Sequence, residues 1–268
     1  MGRIIHYIIL VWLSVCALPG CAKEPLNVVI LGDSNTWIGG DDCSQPQGWN
    51  KWFKDYFAPT TCHSYARSGA TWTNTYRTKR NTLQNTDRLN DDNVIYNQVC
   101  RLREAVANGT QAEPQLIMLM AGTNDLWFAK QRPQALSLTS AKAFAEPDSV
   151  TNRRPVNQIL TLAEAVRYNC KLLKDAFPQA HIILMTPMQA TKIALQQLER
   201  ASEIIAGCGE RMGASIIRMD RDGCVRQAEE LTGYRLTRDG VHTNEAGAQC
   251  VGNYVTQQVR RLKDNGFF

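Results

Sequence analysis

Leu116-Ile117-Met118-Leu119-Met120, followed at once by Ala121-Gly122-Thr123-Asn124-Asp125, is the stretch from which the fold can be read. Five consecutive apolar residues do not alternate as a strand with one wet face would; they suit a strand covered on both faces. The glycine and short polar residues that stop the run mark a turn at its carboxyl end. The same grammar recurs on either side. Residues 27–31 (NVVIL) end in Gly32-Asp33-Ser34, residues 62–66 end near Ser68-Gly69, His181–Met185 stops at Thr186-Pro187, and residues 215–219 make a fifth run. Helical periods lie between them at Trp49–Phe57 and at residues 94–107, 156–177, 193–212 and 244–263. Strands alternating with helices predict a parallel five-stranded sheet between two layers of helices, an α/β/α sandwich in one domain over residues 25–268. Residues 126–155 keep no clean period, and a loop of that length in a compact domain suggests a lid.

A chain of 268 residues, 44% hydrophobic and 21% charged, can bury a sizeable core, which excludes a disordered or collagen-like chain and a polytopic membrane protein. Lys+Arg 30 against Asp+Glu 25 leaves +5, and the charges are scattered. The densest basic run, Arg77-Lys79-Arg80, reads as a solvated loop, so nucleic acid is not an expected partner. The first residues are not part of the fold. Arg3 precedes an apolar run over residues 4–18, too short for a comfortable membrane span and suited to a secretory leader. Leu18-Pro19-Gly20-Cys21 resembles the bacterial lipoprotein processing box, which makes residues 1–21 a signal peptide and Cys21 the lipidation site; cleavage after Ala22 is the competing reading. Either predicts a protein outside the cytosol, touching a membrane only through a lipid anchor.

Beyond Cys16 and Cys21 the cysteines are Cys43, Cys62, Cys100, Cys170, Cys208, Cys224 and Cys250. An oxidising compartment permits disulfides, and the odd number leaves at least one thiol unpaired. Cys43 with Cys62 and Cys208 with Cys224 are the expected pairs, against buried free thiols acting as small hydrophobes. No pair has zinc spacing, so a metal cluster is not expected. His63 and His181 read as structural histidines.

In an open parallel sheet, ligands bind beyond the carboxyl ends of the strands, so the polar residues there are the ones to question. A serine hydroxyl needs an adjacent base, imidazole suits the task near neutral pH, and a carboxylate fixes the imidazole tautomer. Ser34, His242 and Asp239 supply the three types, the last two spaced so that one turn can present both. An oxyanion needs preorganised donors, which the Ser34 and Gly69 N–H groups and the Asn124 side chain could provide. Each piece alone has a plain structural reading: a capped turn for Gly-Asp-Ser, an Asx loop for Gly-Thr-Asn-Asp, a helix start for Asp-x-x-His. Their joint occurrence, in this order, is hard to reach by accident.

In these four blocks the chain resembles the SGNH (GDSL-type) hydrolases: Gly32-Asp33-Ser34 matches the first, Gly69 the second, Gly122-Thr123-Asn124-Asp125 the third and Asp239-Gly240-Val241-His242 the last. The resemblance implies a flavodoxin-like α/β/α sandwich, Ser34 as nucleophile and oxyanion donor, Gly69 and Asn124 completing the oxyanion hole, His242 as base and Asp239 as its orienter. It also implies action on carboxylic esters without metal or cofactor. Neither G-x-S-x-G nor a nucleotide-binding glycine motif is present.

Ser34, Gly69 and Asn124 are each followed three residues later by tryptophan, Trp37, Trp72 and Trp127. Indole faces there would suit a sugar-binding cleft; packing of helix starts against the sheet is the competing reading. The leading expectation is a serine esterase that removes short acyl groups, acetyl above all, from carbohydrate. The alternatives are a lipid-type esterase or lysophospholipase, and a non-catalytic glycan-binding lipoprotein of the same fold.

Overall fold

All five expected strands form in the computed structural model, which describes residues 26–83, 87–145 and 154–268. The chain runs β1 (Asn27–Gly32), α1 (Ser34–Trp37), α2 (Trp49–Phe57), β2 (Thr61–Ser64), α3 (Ile95–Ala107), β3 (Leu116–Met120), α4 (Thr123–Trp127), α5 (Ser140–Ala143), α6 (Leu162–Ala176), β4 (His181–Met185), α7 (Leu195–Arg211), β5 (Ser215–Ile217), α8 (Met219–Asp222), α9 (Gln227–Glu230) and α10 (Glu245–Asp264). Every neighbouring pair in the sheet is parallel and the order is β2-β1-β3-β4-β5. The expected leader and Cys21 lie outside the described residues. Among those described, no helix is long and apolar enough to cross a membrane.

Successive side chains of a strand point to opposite faces, so the inner strands β1, β3 and β4 each feed two cores. Val29, Leu31, Ile117, Leu119, Ile182 and Leu184 join Val99 of α3, Val166 of α6 and Ile205 of α7. Val28, Ile30, Leu116, Met118, Ile183 and Met185 join Trp49 and Phe53 of α2 and Val251 and Val255 of α10. That is the three-layer sandwich, and it explains why these strands are apolar throughout: neither face is wet. Each buried aliphatic side chain contributes about 1.5–3 kcal/mol.

Three boundaries differ from the sequence reading, each for a local reason. β2 ends as a strand at Ser64, where the free-edge Ala66 N–H turns to the Ser64 hydroxyl at 3.3 Å, although Tyr65 and Arg67 still donate to the Ile30 and Gly32 carbonyls of β1 at 2.8 and 3.2 Å. β5 ends at Ile217 because Met219 already opens α8. The helix expected over 156–177 is broken: Val156–Gln158 makes one 3-10 turn, and α6 begins at Leu162 behind a reciprocal cap. There the Thr161 hydroxyl accepts the Glu164 N–H at 3.2 Å while the Glu164 carboxylate accepts the Thr161 N–H at 3.3 Å.

The disulfide expectation needs correction. Cys224 is bonded to Cys250 of α10, not to Cys208. Cys208 belongs to the core cluster on one face of the sheet and Cys224 packs against the cluster on the other, so the sheet stands between them. Cys43 and Cys62 are unbonded neighbours, both buried. The lid expectation is also revised for the described part of 126–155. Ala143 of α5 is buried in the core with α6 and α7, and Arg167 of α6 lies 4.6 Å over the Phe144 ring, so this segment is packed shelf rather than free cover. Residues 146–153 lie outside the described residues.

Candidate active site

β1 and β3 are adjacent although β2 intervenes in sequence, and the connections leaving their carboxyl ends go to opposite sides, which opens a crevice between them. Ser34 stands on one lip and Asn124 on the other. β1 ends at Gly32, and Asp33 then caps α1 in extended backbone, its carboxylate accepting the Asn35 N–H at 3.1 Å. Ser34 is thereby the first residue of a helical turn, so its own N–H has no partner within that turn. Gln98 of α3 fixes the residue before this turn: its side-chain oxygen accepts the Gly32 N–H at 2.9 Å and its amide donates to the Gly32 carbonyl at 2.8 Å. Sequence reading missed Gln98, although a glutamine on the apolar stripe of Ile95, Val99 and Leu102 was its visible signal.

His242 comes from the turn before α10. The Asp239 carboxylate accepts the backbone N–H groups of Val241 at 3.0 Å and His242 at 2.8 Å, and its second oxygen lies 2.7 Å from His242 Nδ1. Burial works against this carboxylate, but the hydrogen bonds from His242 outweigh it and hold Asp239 below the usual carboxylate range. An ionised carboxylate only accepts, which places the imidazole proton on Nδ1 and leaves Nε2 as the acceptor. Nε2 lies 2.9 Å from Ser34 Oγ. The Thr243 hydroxyl donates to the Gln47 carbonyl at 2.7 Å, and Gly240, with φ +85°, packs so closely that a Cβ would meet Thr191 Oγ1 at 2.1 Å.

Gly69 has φ +77°, and a Cβ there would sit 2.7 Å from the Leu89 nitrogen, so no other residue fits this turn. The Asn124 amide donates one hydrogen to the Ala70 carbonyl at 2.9 Å. That bond fixes its rotamer and leaves the second amide hydrogen for the crevice. Asp125, fully buried, ties the two turns together by accepting the Trp72 N–H at 3.0 Å, the Thr73 N–H at 2.9 Å and the Thr73 hydroxyl at 2.6 Å. Ser34, Gly69, Asn124, Asp239 and His242 all line one pocket of about 450 Å³, with Trp127, Phe128 and Lys192 among its walls. Such an arrangement can pass a proton from a hydroxyl to an imidazole and offers N–H donors beside it.

The three tryptophans part company. Trp127 is 41% exposed on the pocket, its ring 5.7 Å from Lys192 Nζ. Trp72 is fully buried and spends its indole N–H on the Ala121 carbonyl at 3.1 Å, so it is core and not a substrate contact. Trp37 is half-buried and lies outside the Ser34 pocket, in a neighbouring cleft with Asp41, Gln45 and Arg238. His63 faces Gln111 and His181 faces Ser215, as structural histidines would. Among the described residues, no group of His, Cys, Asp and Glu could hold a metal ion.

Asp33 is the electrically unusual residue of the site. Burial, opposed by hydrogen bonds from Asn35 and Thr123, pushes its pKa from 3.8 up to about 7. Between those values the folded chain keeps a proton that the unfolded chain has released, so stability falls as pH rises across that window and stays lowered above it. Asp33→Asn keeps the cap acceptor and removes the titration. At pH 8 it should unfold at a higher temperature than the parent, by up to about 4 kcal/mol in stability, with the advantage gone near pH 4. Parallel pH profiles of thermal midpoint for the two proteins would refute this.

Comparison with known proteins bears on the family and the fold. The family model for GDSL-like lipase/acylhydrolase matches residues 30–250. A search of curated proteins returned no match. Solved structures similar to this chain include a possible lipase from Chitinophaga pinensis, at 12% identity and TM-score 0.57 over 89% of this chain and 99% of that one. An acetyl xylan esterase matches at 16% identity and TM-score 0.53 over 87% and 100%. A carbohydrate acetylesterase from Sinorhizobium meliloti matches at 15% identity and TM-score 0.52 over 88% and 99%. At these identities the likeness is one of fold.

Proposed function

The chain belongs to the GDSL-like lipase/acylhydrolase family, and from that premise we propose that it is a serine esterase removing short acyl groups, acetyl above all, from carbohydrate. The observation that carries the reading is the unbroken line from Ser34 Oγ to His242 Nε2 at 2.9 Å and from His242 Nδ1 to Asp239 at 2.7 Å, opening onto the pocket that Gly69 and Asn124 border. Ser34 attacks the ester carbonyl while His242 takes its proton and passes it to the departing alcohol. The tetrahedral oxyanion sits against the N–H groups of Ser34 and Gly69 and the free amide hydrogen of Asn124. His242 then activates water, which releases the acyl group and restores Ser34. None of these steps draws on a metal or organic cofactor.

The choice of acyl and alcohol rests on the shape of the pocket. Its volume of about 450 Å³ is modest, and the exposed indole of Trp127 beside it offers a flat face for a sugar ring. Two of the similar folds also carry carbohydrate acetylesterase or acetyl xylan esterase in their names. A p-nitrophenyl ester series from acetate to palmitate, followed by acetate release from acetylated glycans, tests the reading. Steep preference for acetate supports it; preference for long chains makes the enzyme a lipid-type esterase, and no turnover of any ester leaves a glycan-binding protein. Export, by lipid on Cys21 or by cleavage after Ala22, is part of the proposal, supported by the leader sequence and the Cys224–Cys250 disulfide. Recovery of the uncleaved chain from the cytosol alone would contradict it.

Trp127→Ala should lower kcat/KM on acetylated glycan by about tenfold, the size of one lost aromatic contact, and leave p-nitrophenyl acetate nearly untouched. Trp72→Ala should instead cost about 3–5 kcal/mol of stability and depress both substrates together. Equal losses on both substrates for Trp127→Ala would remove the sugar platform from the proposal.

A further inference from the structure

Cys62 lies on β2, the edge strand, paired with Val28 of β1, and its side chain is buried in the core beneath α2 and α10. Cys43 belongs to the irregular segment of residues 39–48 that leads from α1 to α2, and it is buried in the same core with a left-handed φ of 54°. The two Sγ atoms are 3.7 Å apart. A disulfide requires about 2.05 Å, so closing the gap takes a side-chain adjustment of under about 2 Å by a residue held in no helix or strand. Cys43 is buried, so exchange takes place only when this irregular segment opens to solvent, but the groups around its sulfur favour the thiolate. Asn50 Nδ2 donates to Cys43 Sγ at 3.4 Å, and the Lys54 ammonium is held nearby on the Asp42 carbonyl at 2.7 Å.

We propose that Cys43 and Cys62 are the site of a second cross-link, closed by exchange with a small-molecule or protein disulfide in the compartment where Cys224 and Cys250 are oxidised. The Cys43 thiol loses its proton and its sulfur attacks the donor disulfide, expelling one donor thiolate and forming a mixed disulfide. Cys62 then gives up its proton, its thiolate attacks Cys43 Sγ, and the second donor thiolate leaves. Two protein thiols are oxidised by two electrons and one donor disulfide is reduced to two thiols. The order follows from the environment: the hydrogen bond from the Cys62 thiol, with help from Asn50 and Lys54, draws the Cys43 pKa below the usual thiol value despite burial.

The bond would pin a segment on which the candidate active site leans. Gln47, in that segment, accepts the Thr243 hydroxyl beside His242, and Asp41 holds Arg67 at 2.7 Å through its carboxylate and the Ser64 N–H at 2.8 Å through its carbonyl. Closing the loop between residues 43 and 62 restricts the unfolded chain as well, so the thermal midpoint should rise by about 5–10 °C.

The test is peptide mapping of the full chain after equilibration with oxidised glutathione, acid quenching, denaturation and alkylation. A linked Cys43–Cys62 peptide is the expected result, together with the higher midpoint relative to Cys62→Ser, in which Cys43 becomes alkylated. Mapping the parent chain needs no variant, so a misfolded Cys62→Ser protein leaves the result readable. Alkyl groups on both Cys43 and Cys62 while Cys224–Cys250 stays intact would overturn the proposal, as would either thiol linked to a different cysteine. The outcome is independent of whether the chain hydrolyses esters.

Discussion

Ser34→Ala is expected to lower kcat for ester hydrolysis by about 10⁴ or more while moving the thermal midpoint very little. The hydroxyl is nearly buried at the mouth of the crevice, and its one described partner is His242 Nε2 at 2.9 Å. Removing it therefore takes away the attacking atom and one hydrogen bond, with no loss of core volume. Members of a nucleophile–base–carboxylate unit act as one, so the residual rate should be what the oxyanion donors and substrate binding supply alone. Hydrolysis above about a hundredth of the parent rate would show that another group attacks, because among the described residues Ser34 is the hydroxyl hydrogen-bonded to His242 Nε2.

Asn124→Ala should reduce kcat by about 10²–10³, equivalent to about 3–4 kcal/mol, with KM nearly unchanged. The side chain already donates one hydrogen to the Ala70 carbonyl at 2.9 Å, so its free amide hydrogen is aimed before substrate arrives and costs no reorganisation during reaction. An ester carbonyl makes weak use of such a donor; the oxyanion makes strong use of it, and that difference appears in kcat. The lost Ala70 bond adds an estimated stability cost of about 1 kcal/mol, readable as a small drop in midpoint. A loss confined to KM would instead make Asn124 a ground-state binding residue.

Much of the candidate site could be read before any coordinates, because its chemistry sits where short apolar strands stop. Ser34, Gly69 and Asn124 each follow a strand, and Asp239 and His242 are near enough in sequence for one turn to join them. Gln98 was not legible as part of the site, and Asp125 was visible only as the last residue of the Gly122-Thr123-Asn124-Asp125 block, without a role. Each is a buried polar side chain whose partners are backbone groups from a distant turn, Gly32 for Gln98 and residues 72–73 for Asp125, and nothing in local periodicity names such partners.

The amino-acid sequence by itself determined the five strands, the five longer helices and the polar residues at the strand ends, but not the short helical turns such as α1 and α4. Those properties are local: a strand buried on both faces must be apolar throughout, and a turn needs glycine or a short polar side chain. Tertiary structure alone decided which groups meet across long separations. His242 reaches Ser34 over 208 residues only because α10 packs against α2 on one face of the sheet, which brings the turn before α10 to the end of β1. Tertiary placement likewise divides Trp72 from Trp127. Both stand three residues past a presumed donor, yet the chain after Gly69 turns inward, where Asp125 holds Trp72 by its backbone, while α4 carries Trp127 out to the rim. Cys224 likewise pairs with Cys250 rather than Cys208 because a disulfide needs its two residues on the same side of the sheet, and the side each cysteine occupies is set by packing, not by spacing.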